Sequence, residues 1–136
     1  MTEKIHVLCV DDEPRLLEGL TLQLRKHFRV STATTGQKGL EIVDRDPPAV
    51  VVSDMRMPEM NGATFLGHIV ERAPNIVRIL LTGHADVESA IAAVNHGQIF
   101  RYLTKPCPPE LLLSVIRAAA EEHQRALERS APSKRP

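Results

Sequence analysis

The stretch from Ala49 to Gly62, Ala-Val-Val-Val-Ser-Asp-Met-Arg-Met-Pro-Glu-Met-Asn-Gly, decides the fold. Val50, Val51 and Val52 form a β-branched apolar run, the pattern of a strand buried on both faces. The run stops at Ser53-Asp54. Pro58 lacks the amide that strand pairing needs, and Asn61-Gly62 supplies turn chemistry. A buried strand therefore delivers the carboxylate of Asp54 to its C-terminal end, where ligands bind in open parallel α/β sheets. The same happens earlier, where Ile5-His6-Val7-Leu8-Cys9-Val10 runs into Asp11-Asp12. Two strand ends thus bring three carboxylates to one edge.

The chain has 136 residues, enough for one domain with a real core. Hydrophobic content of 43% and charged content of 25% are ordinary for a soluble globular protein. Lys plus Arg equals Asp plus Glu at 17 each, which argues against a nucleic-acid or membrane-surface footprint. Aromatics are limited to Phe28, Phe65, Phe100 and Tyr102, too few for a base-stacking surface. Cys9 reads as a small core hydrophobe, and Cys107 lies in a Pro-Cys-Pro loop. No C-x-x-C or His/Cys cluster indicates zinc or a disulfide framework. No run reaches membrane-span length and no signal peptide is read ahead of Ile5, so a cytoplasmic location is expected.

From the start, a strand is expected at about Ile5–Val10. Asp12-Glu13-Pro14 reads as a helix start, with Asp12 as the cap, and Leu16, Leu17, Leu20 and Leu24 mark its inner face. Phe28–Ala33 reads as a less central strand. Residues 36–46 carry a weak helical stripe through Leu40 and Val43, ended by Pro47-Pro48. After Gly62 a helix buries Phe65, Leu66 and Ile69. Ile76–Leu81 is the fourth strand, and Asp86 caps a helix with Val87, Ala90, Ile91 and Val94 inward and Gly97 closing it. Phe100–Thr104 is the fifth strand. The last helix starts near Pro109, with Leu112, Val115, Ile116 and Ala119 inward. Leu113, Ile116, Ala120, His123 and Leu127 fit a heptad spacing too briefly for a coiled coil, so a solvated helix end, or a linker to a further domain, is expected. The tail from Ser130 is expected to fray. Five strands alternating with five helices through short connections predict a doubly wound parallel sheet.

Asp11, Asp12, Asp54, Thr82 and Lys105 fall at the same end of successive strands. Each alone has a bland role, as helix cap, turn opener or solvated cation. Their coincidence favours a shared site. Clustered carboxylates raise one another's pKa, a conflict that a hard divalent cation resolves. Such a cation with open positions also binds phosphate oxygens, which Thr82 and Lys105 could contact. Asp54 is then free for nucleophilic attack, accepting a phosphoryl group as an acyl phosphate.

Asp11-Asp12, Asp54-Met55-Arg56-Met57-Pro58-Glu59-Met60-Asn61-Gly62, Leu81-Thr82-Gly83 and Tyr102-Leu103-Thr104-Lys105-Pro106 together resemble the receiver domain of two-component response regulators, in order and across most of the chain. The resemblance implies a five-stranded parallel sheet of order 2-1-3-4-5, a flavodoxin-like three-layer sandwich. By the same resemblance Asp54 is the phosphoacceptor. Asp12, Asp54 and the main-chain carbonyl of Arg56 hold Mg²⁺, with Asp11 acting through water and Mn²⁺ a possible substitute. Thr82 and Lys105 contact the phosphoryl group, Thr82 and Tyr102 form the switch, and Lys105-Pro106 is cis.

The expected partners are a cognate sensor histidine kinase, an output domain or downstream protein, and a second copy through the face of the fourth helix, fifth strand and fifth helix. Direct nucleic-acid or membrane contact is not expected. The expected organisation is a receiver domain over residues 1–124, followed by a helix extension and flexible tail over 125–136. Arg56 and His84 flank the phosphoryl site, as tuners of its lifetime or as solvated side chains. Two alternatives stand beside this reading. One is a phosphorylation-independent module of the same fold. The other is an aspartate-nucleophile phosphatase of the haloacid dehalogenase kind, weakened because Arg56 stands where that class needs an acid. A receiver is expected to catalyse its own phosphorylation and slow dephosphorylation, not turnover of outside substrates.

Overall fold

The computed structural model describes residues 4–96 and 98–130. The strands are β1 (His6–Val10), β2 (Arg29–Ala33), β3 (Val50–Asp54), β4 (Val77–Thr82) and β5 (Arg101–Thr104). The helices are α1 (Pro14–Leu24), α2 (Gly36–Arg45), α3 (Gly62–Arg72), α4 (Val87–Asn95) and α5 (Pro109–Ser130), with a 3₁₀ turn at His84–Asp86 before α4. All strand pairs are parallel, in the order β2-β1-β3-β4-β5 expected from the sequence.

Alternation along each strand divides the core into two layers. Val7, Cys9, Val50, Val52, Ile79 and Leu103 face α1 and α5, against Leu17, Leu20, Leu24, Leu112 and Ile116. Leu8, Val10, Val51 and Leu80 face the other side, against Leu40, Val43, Phe65, Leu66, Ile69, Ala90 and Ala93. β1 and β3 are buried along their whole length, which explains their unbroken apolar runs. Each fully buried aliphatic side chain contributes roughly 1.5–3 kcal/mol. Cys9 packs as a core hydrophobe, and burial pushes its thiol up to about 12.

Several local expectations change. Glu13, not Asp12, is the cap residue of α1; it offers no side-chain bond, and Pro14 opens the helix. Asp86 precedes α4 without capping it, and Ile91 is exposed while Ala93 takes its place inside. β4 runs one residue further than expected and so contains Thr82. The end of α5 is exposed, as a solvated helix end requires, but it is also tethered: His123 Nδ1 lies 2.8 Å from the Asn75 carbonyl, and Asn75 Nδ2 donates to Ser130 Oγ at 2.9 Å. Ser130 is the last residue of α5. Gly97 and residues 131–136 lie outside the described residues.

The loop after β3 is held from several sides. Met55 N–H donates to the Leu81 carbonyl at 3.0 Å, and Gly62 N–H donates to the Met55 carbonyl at 2.7 Å. Asn61 caps α3 through Thr64 N–H at 2.8 Å. Glu59 occupies the left-handed region at φ 67°, where the chain reverses. Gly62 sits directly on the main chain of Asp54. A Cβ there would overlap the Asp54 carbonyl oxygen and lie 2.9 Å from Leu80 Cδ1. Backbone cannot yield as a flexible side chain can.

Two predictions arise from this architecture. Gly62→Ala should cost about 2 kcal/mol or more through overpacking. Gly67→Ala, inside α3 with nothing within 4 Å of the added carbon, should instead be neutral or stabilising. Urea midpoints of the two variants moving in the same direction would contradict this account. The second concerns His6, buried on β1 with Nε2 2.7 Å from Ser31 Oγ and Nδ1 without a hydrogen bond. Burial, aided by the charge of Arg29, lowers its pKa; Asp46 and the Pro47 main chain pull upward too weakly to reverse this. Its contribution is intact above the ordinary pKa of 6.5 and is lost as pH falls toward the depressed folded value, because the unfolded chain takes up the proton first. Urea titrations between neutral and mildly acidic pH should show His6→Gln with a shallower decline than the parent; equal slopes would count against it.

Candidate functional site

Three strand ends build the site. β1 hands the chain to Asp11, whose N–H still pairs with the Ala33 carbonyl at 3.1 Å. Asp11 Oδ1 accepts from Glu13 N–H at 2.9 Å, a local turn that pins the carboxylate under the first turn of α1. Asp11 is thereby buried while Asp12 is exposed. β3 ends on Asp54, itself 8% exposed. Carboxylate oxygens of Asp11, Asp12 and Asp54 all lie within 4.8 Å of one another. The sequence expectation of a shared acidic edge is met.

Lys105 completes the cluster from the end of β5. Its N–H donates to the Thr82 carbonyl at 2.9 Å, carrying β4–β5 pairing past the last strand residue. Its ammonium reaches Asp54 Oδ1 at 2.8 Å and Asp11 Oδ2 at 3.2 Å. The bond to Pro106 is cis. Burial alone would lower the lysine's pKa; its contacts with Asp54 and Asp11 outweigh that and hold it above its ordinary value. Asp11 moves the other way from most paired acids. Burial raises its pKa, the Asp54 charge adds to this, and the Glu13 N–H and Lys105 offset only part. The cluster carries more negative charge than one ammonium neutralises. An all-oxygen donor set with surplus negative charge fits a hard divalent cation.

The acids open into a cleft of about 410 Å³ bordered by Asp12, Arg56, His84, Asp86 and Lys105. Across its mouth Arg56 Nε donates to Asp86 Oδ2 at 2.8 Å and Nη2 to Asp86 Oδ1 at 3.2 Å. The hydrogen bond from Arg56 holds the Asp86 carboxyl below its usual range. Sequence reasoning placed Arg56 at the site but missed its partner, 30 residues away, and read Asp86 only as a helix cap. Larger clefts lie beside α1, one of about 520 Å³ lined in part by Leu17 and Leu22, but they gather no comparable group of acids.

Thr82 is fully buried, and its hydroxyl donates to the Gly83 carbonyl at 3.2 Å. It pairs in register with Thr104, as Leu80 does with Tyr102. Tyr102 is half-buried and packs on the layer containing α4. The structure thus joins Asp11, Asp12, Asp54 and Lys105 by direct contact or proximity, and sets Thr82 and Tyr102 on the adjoining strands.

Comparison with known proteins agrees with this architecture. Residues 7–117 match the response regulator receiver domain family. The hydrogenase transcriptional regulatory protein HoxA of Cupriavidus necator is 40% identical over 115 residues, covering 85% of this chain and 24% of that protein. The transcriptional regulatory protein GlrR of Escherichia coli K12 is 38% identical over 129 residues, covering 94% of this chain and 27% of that protein. A crystal structure of a response regulator receiver domain protein from Clostridium thermocellum superposes with a TM-score of 0.77 at 31% identity, covering 92% of this chain and 95% of that one. The chain spans about a quarter of the length of these two curated relatives. Fold, strand order and sequence converge, and the chain belongs to the receiver domains of two-component response regulators.

Proposed function

We propose that the domain is a phosphoacceptor switch, phosphorylated on Asp54 by a sensor histidine kinase in a Mg²⁺-dependent reaction. The observation that carries this reading is the Lys105 ammonium held between Asp54 and Asp11 inside a cluster of three acids. Asp12, Asp54 and the main-chain carbonyl of Arg56 would hold the ion, with Asp11 acting through water; Mn²⁺ could substitute. When bound, Mg²⁺ supplies charge neutralisation for the acids and for phosphoryl oxygens.

The protein groups do the rest. Asp54 presents a carboxylate oxygen at the floor of an open cleft, so a phosphoryl donor can approach in line. The new bond joins that oxygen to phosphorus as the bond to the donor's leaving group breaks, the electron pair departing with the imidazole or acetate. Lys105 stays by the transferred group as a point charge. Thr82 is a second phosphoryl contact. Among the described residues its hydroxyl is engaged by the Gly83 carbonyl alone, an exchangeable bond.

Thr82 and Tyr102 lie on neighbouring strands that both pack toward α4, which supports a switch in which movement of Thr82 opens space for the Tyr102 ring. The face of α4, β5 and α5 would carry the signal to an output domain or partner, or to a second copy of the chain. The relatives' much greater length supports an attached output domain, and their names support transcriptional output. We assign the receiver to residues 1–124 and the remainder to a helical connection, in a cytoplasmic protein; among the described residues no helix is long and apolar enough to cross a membrane. The domain would catalyse only its own phosphorylation and slow dephosphorylation. Arg56, tied to Asp86, does not supply the acid that an aspartate-nucleophile phosphatase requires.

Incubation with acetyl phosphate and Mg²⁺ should add a single phosphoryl mass, absent in Asp54→Asn. Steady hydrolysis without an adduct would indicate a phosphatase, and no adduct a phosphorylation-independent module. Mg²⁺ at about 100 times its dissociation constant should stabilise the fold by about 2.7 kcal/mol, since the ion binds only the assembled site. Asp12→Asn should lose most of that gain; an unfolding midpoint indifferent to Mg²⁺ in the parent protein would contradict the metal assignment.

A further inference from the structure

Asp86 occupies the cap position of α4 without capping it. The contrast with its neighbours is direct. Thr35 caps α2 by accepting from Lys38 N–H at 3.1 Å, and Asn61 caps α3 by accepting from Thr64 N–H at 2.8 Å. Aspartate is among the best residues for this role, accepting from the amides two or three positions on, here Glu88 and Ser89. Instead the Asp86 carboxylate is gripped side-on by Nε and Nη2 of Arg56, and its backbone stands at φ −110°, ψ 10° rather than in the extended conformation of Thr35 and Asn61. Arg56 is two residues past Asp54 on the rim of the same cleft. Its side chain is 75% exposed and that of Asp86 19% exposed, so the arginine can swing without disturbing packing.

We propose that Asp86 is a positioning residue that holds Arg56 away from Asp54 in the unphosphorylated domain, and that phosphorylation exchanges the partners. The guanidinium moves to the phosphoryl oxygens, and the released Asp86 carboxylate turns to cap the first turn of α4. This rests on the phosphoacceptor reading of Asp54. The direction follows from charge. A phosphoryl group carries nearly two negative charges and three acceptor oxygens, against one charge and two oxygens on Asp86. The planar arginine fork fits either partner. The existing pair is open to solvent on its arginine side, which screens it, so a more highly charged partner can displace it. One Arg–carboxylate pair is lost, one Arg–phosphoryl pair is gained, and α4 gains a cap it lacks. The exchange thus links the chemistry at Asp54 to the start of α4 without any change in the core.

Amide hydrogen exchange on the full chain tests this, with phosphorylation by excess acetyl phosphate and Mg²⁺ verified by mass. In the parent protein, phosphorylation should slow exchange at Glu88 and Ser89 about fivefold, the size of an ordinary helix cap. Arg56→Ala should show the slowed exchange before any phosphorylation, because Asp86 is already released. Asp86→Ala should show no slowing in either state. Arg56→Ala amides that exchange as fast as the parent's would overturn the proposal, as would a phosphorylated parent with unchanged amides. If the parent takes no phosphoryl group, the phosphoacceptor reading falls and the exchange falls with it. If the adduct forms and the amides do not respond, only the exchange falls.

Discussion

Three carboxylates crowded at the end of a parallel sheet are the constraint on which the rest of this domain depends. Two like charges about 4 Å apart repel by about 4 kcal/mol at an effective dielectric of 20. The chain meets that repulsion with one ammonium, one main-chain amide and incomplete burial. Lys105 bridges Asp54 and Asp11, the Glu13 amide takes one oxygen of Asp11, and Asp12 is left in solvent. The residual charge imbalance is visible in Asp11, whose pKa stays raised by burial and by Asp54 despite Lys105. A site in this state is poised to gain from any added positive charge, and that poise is what supports the proposed metal-dependent phosphoacceptor.

Backbone geometry holds the acids where they are. Asp11, Asp54 and Lys105 each stand at the C-terminal end of a parallel strand or one residue past it, so strand register sets their separation. Gly62 is pressed onto the Asp54 carbonyl, which ties the start of α3 to the end of β3. Lys105 N–H bonds to the Thr82 carbonyl, so β4 and β5 reach the cleft together. On the far side, Arg56 and Asp86 join the loop after β3 to the start of α4. The groups around Asp54 are thus connected by short physical links to α3, α4 and β5, which makes a local charge change readable at a distance.

Much of this was legible in the sequence, for identifiable reasons. Strands buried on both faces announce themselves, as Val50-Val51-Val52 does, because nothing polar is tolerated inside. The acids were legible because each follows such a run at once. Helix α2 was harder: part of its buried face is Gly36 and Gly39, and a carbon added at Gly39 would lie 2.8 Å from the Phe65 ring, so contact there is made by absence of side chain. Helix α4 misled in part: Ala90 faces the core as expected, but Ala93, not Ile91, joins it there. Asp12 and Asp86 were both read as helix caps from local pattern, and in both cases a tertiary contact or the electrostatics of the site took precedence. The Arg56–Asp86 pair and the docking of His123 and Ser130 on Asn75 had no local signature, since each joins residues far apart in the chain.

The central claim is that the acid cluster binds a divalent cation beside the oxygen of Asp54 that becomes phosphorylated. Anomalous diffraction from crystals equilibrated with Mn²⁺ tests it most directly. The account predicts a strong peak bounded by the carboxylates of Asp12 and Asp54 and the main-chain oxygen of Arg56. Absence of a peak there at saturating Mn²⁺, or an ion bound only away from Asp54, would contradict it.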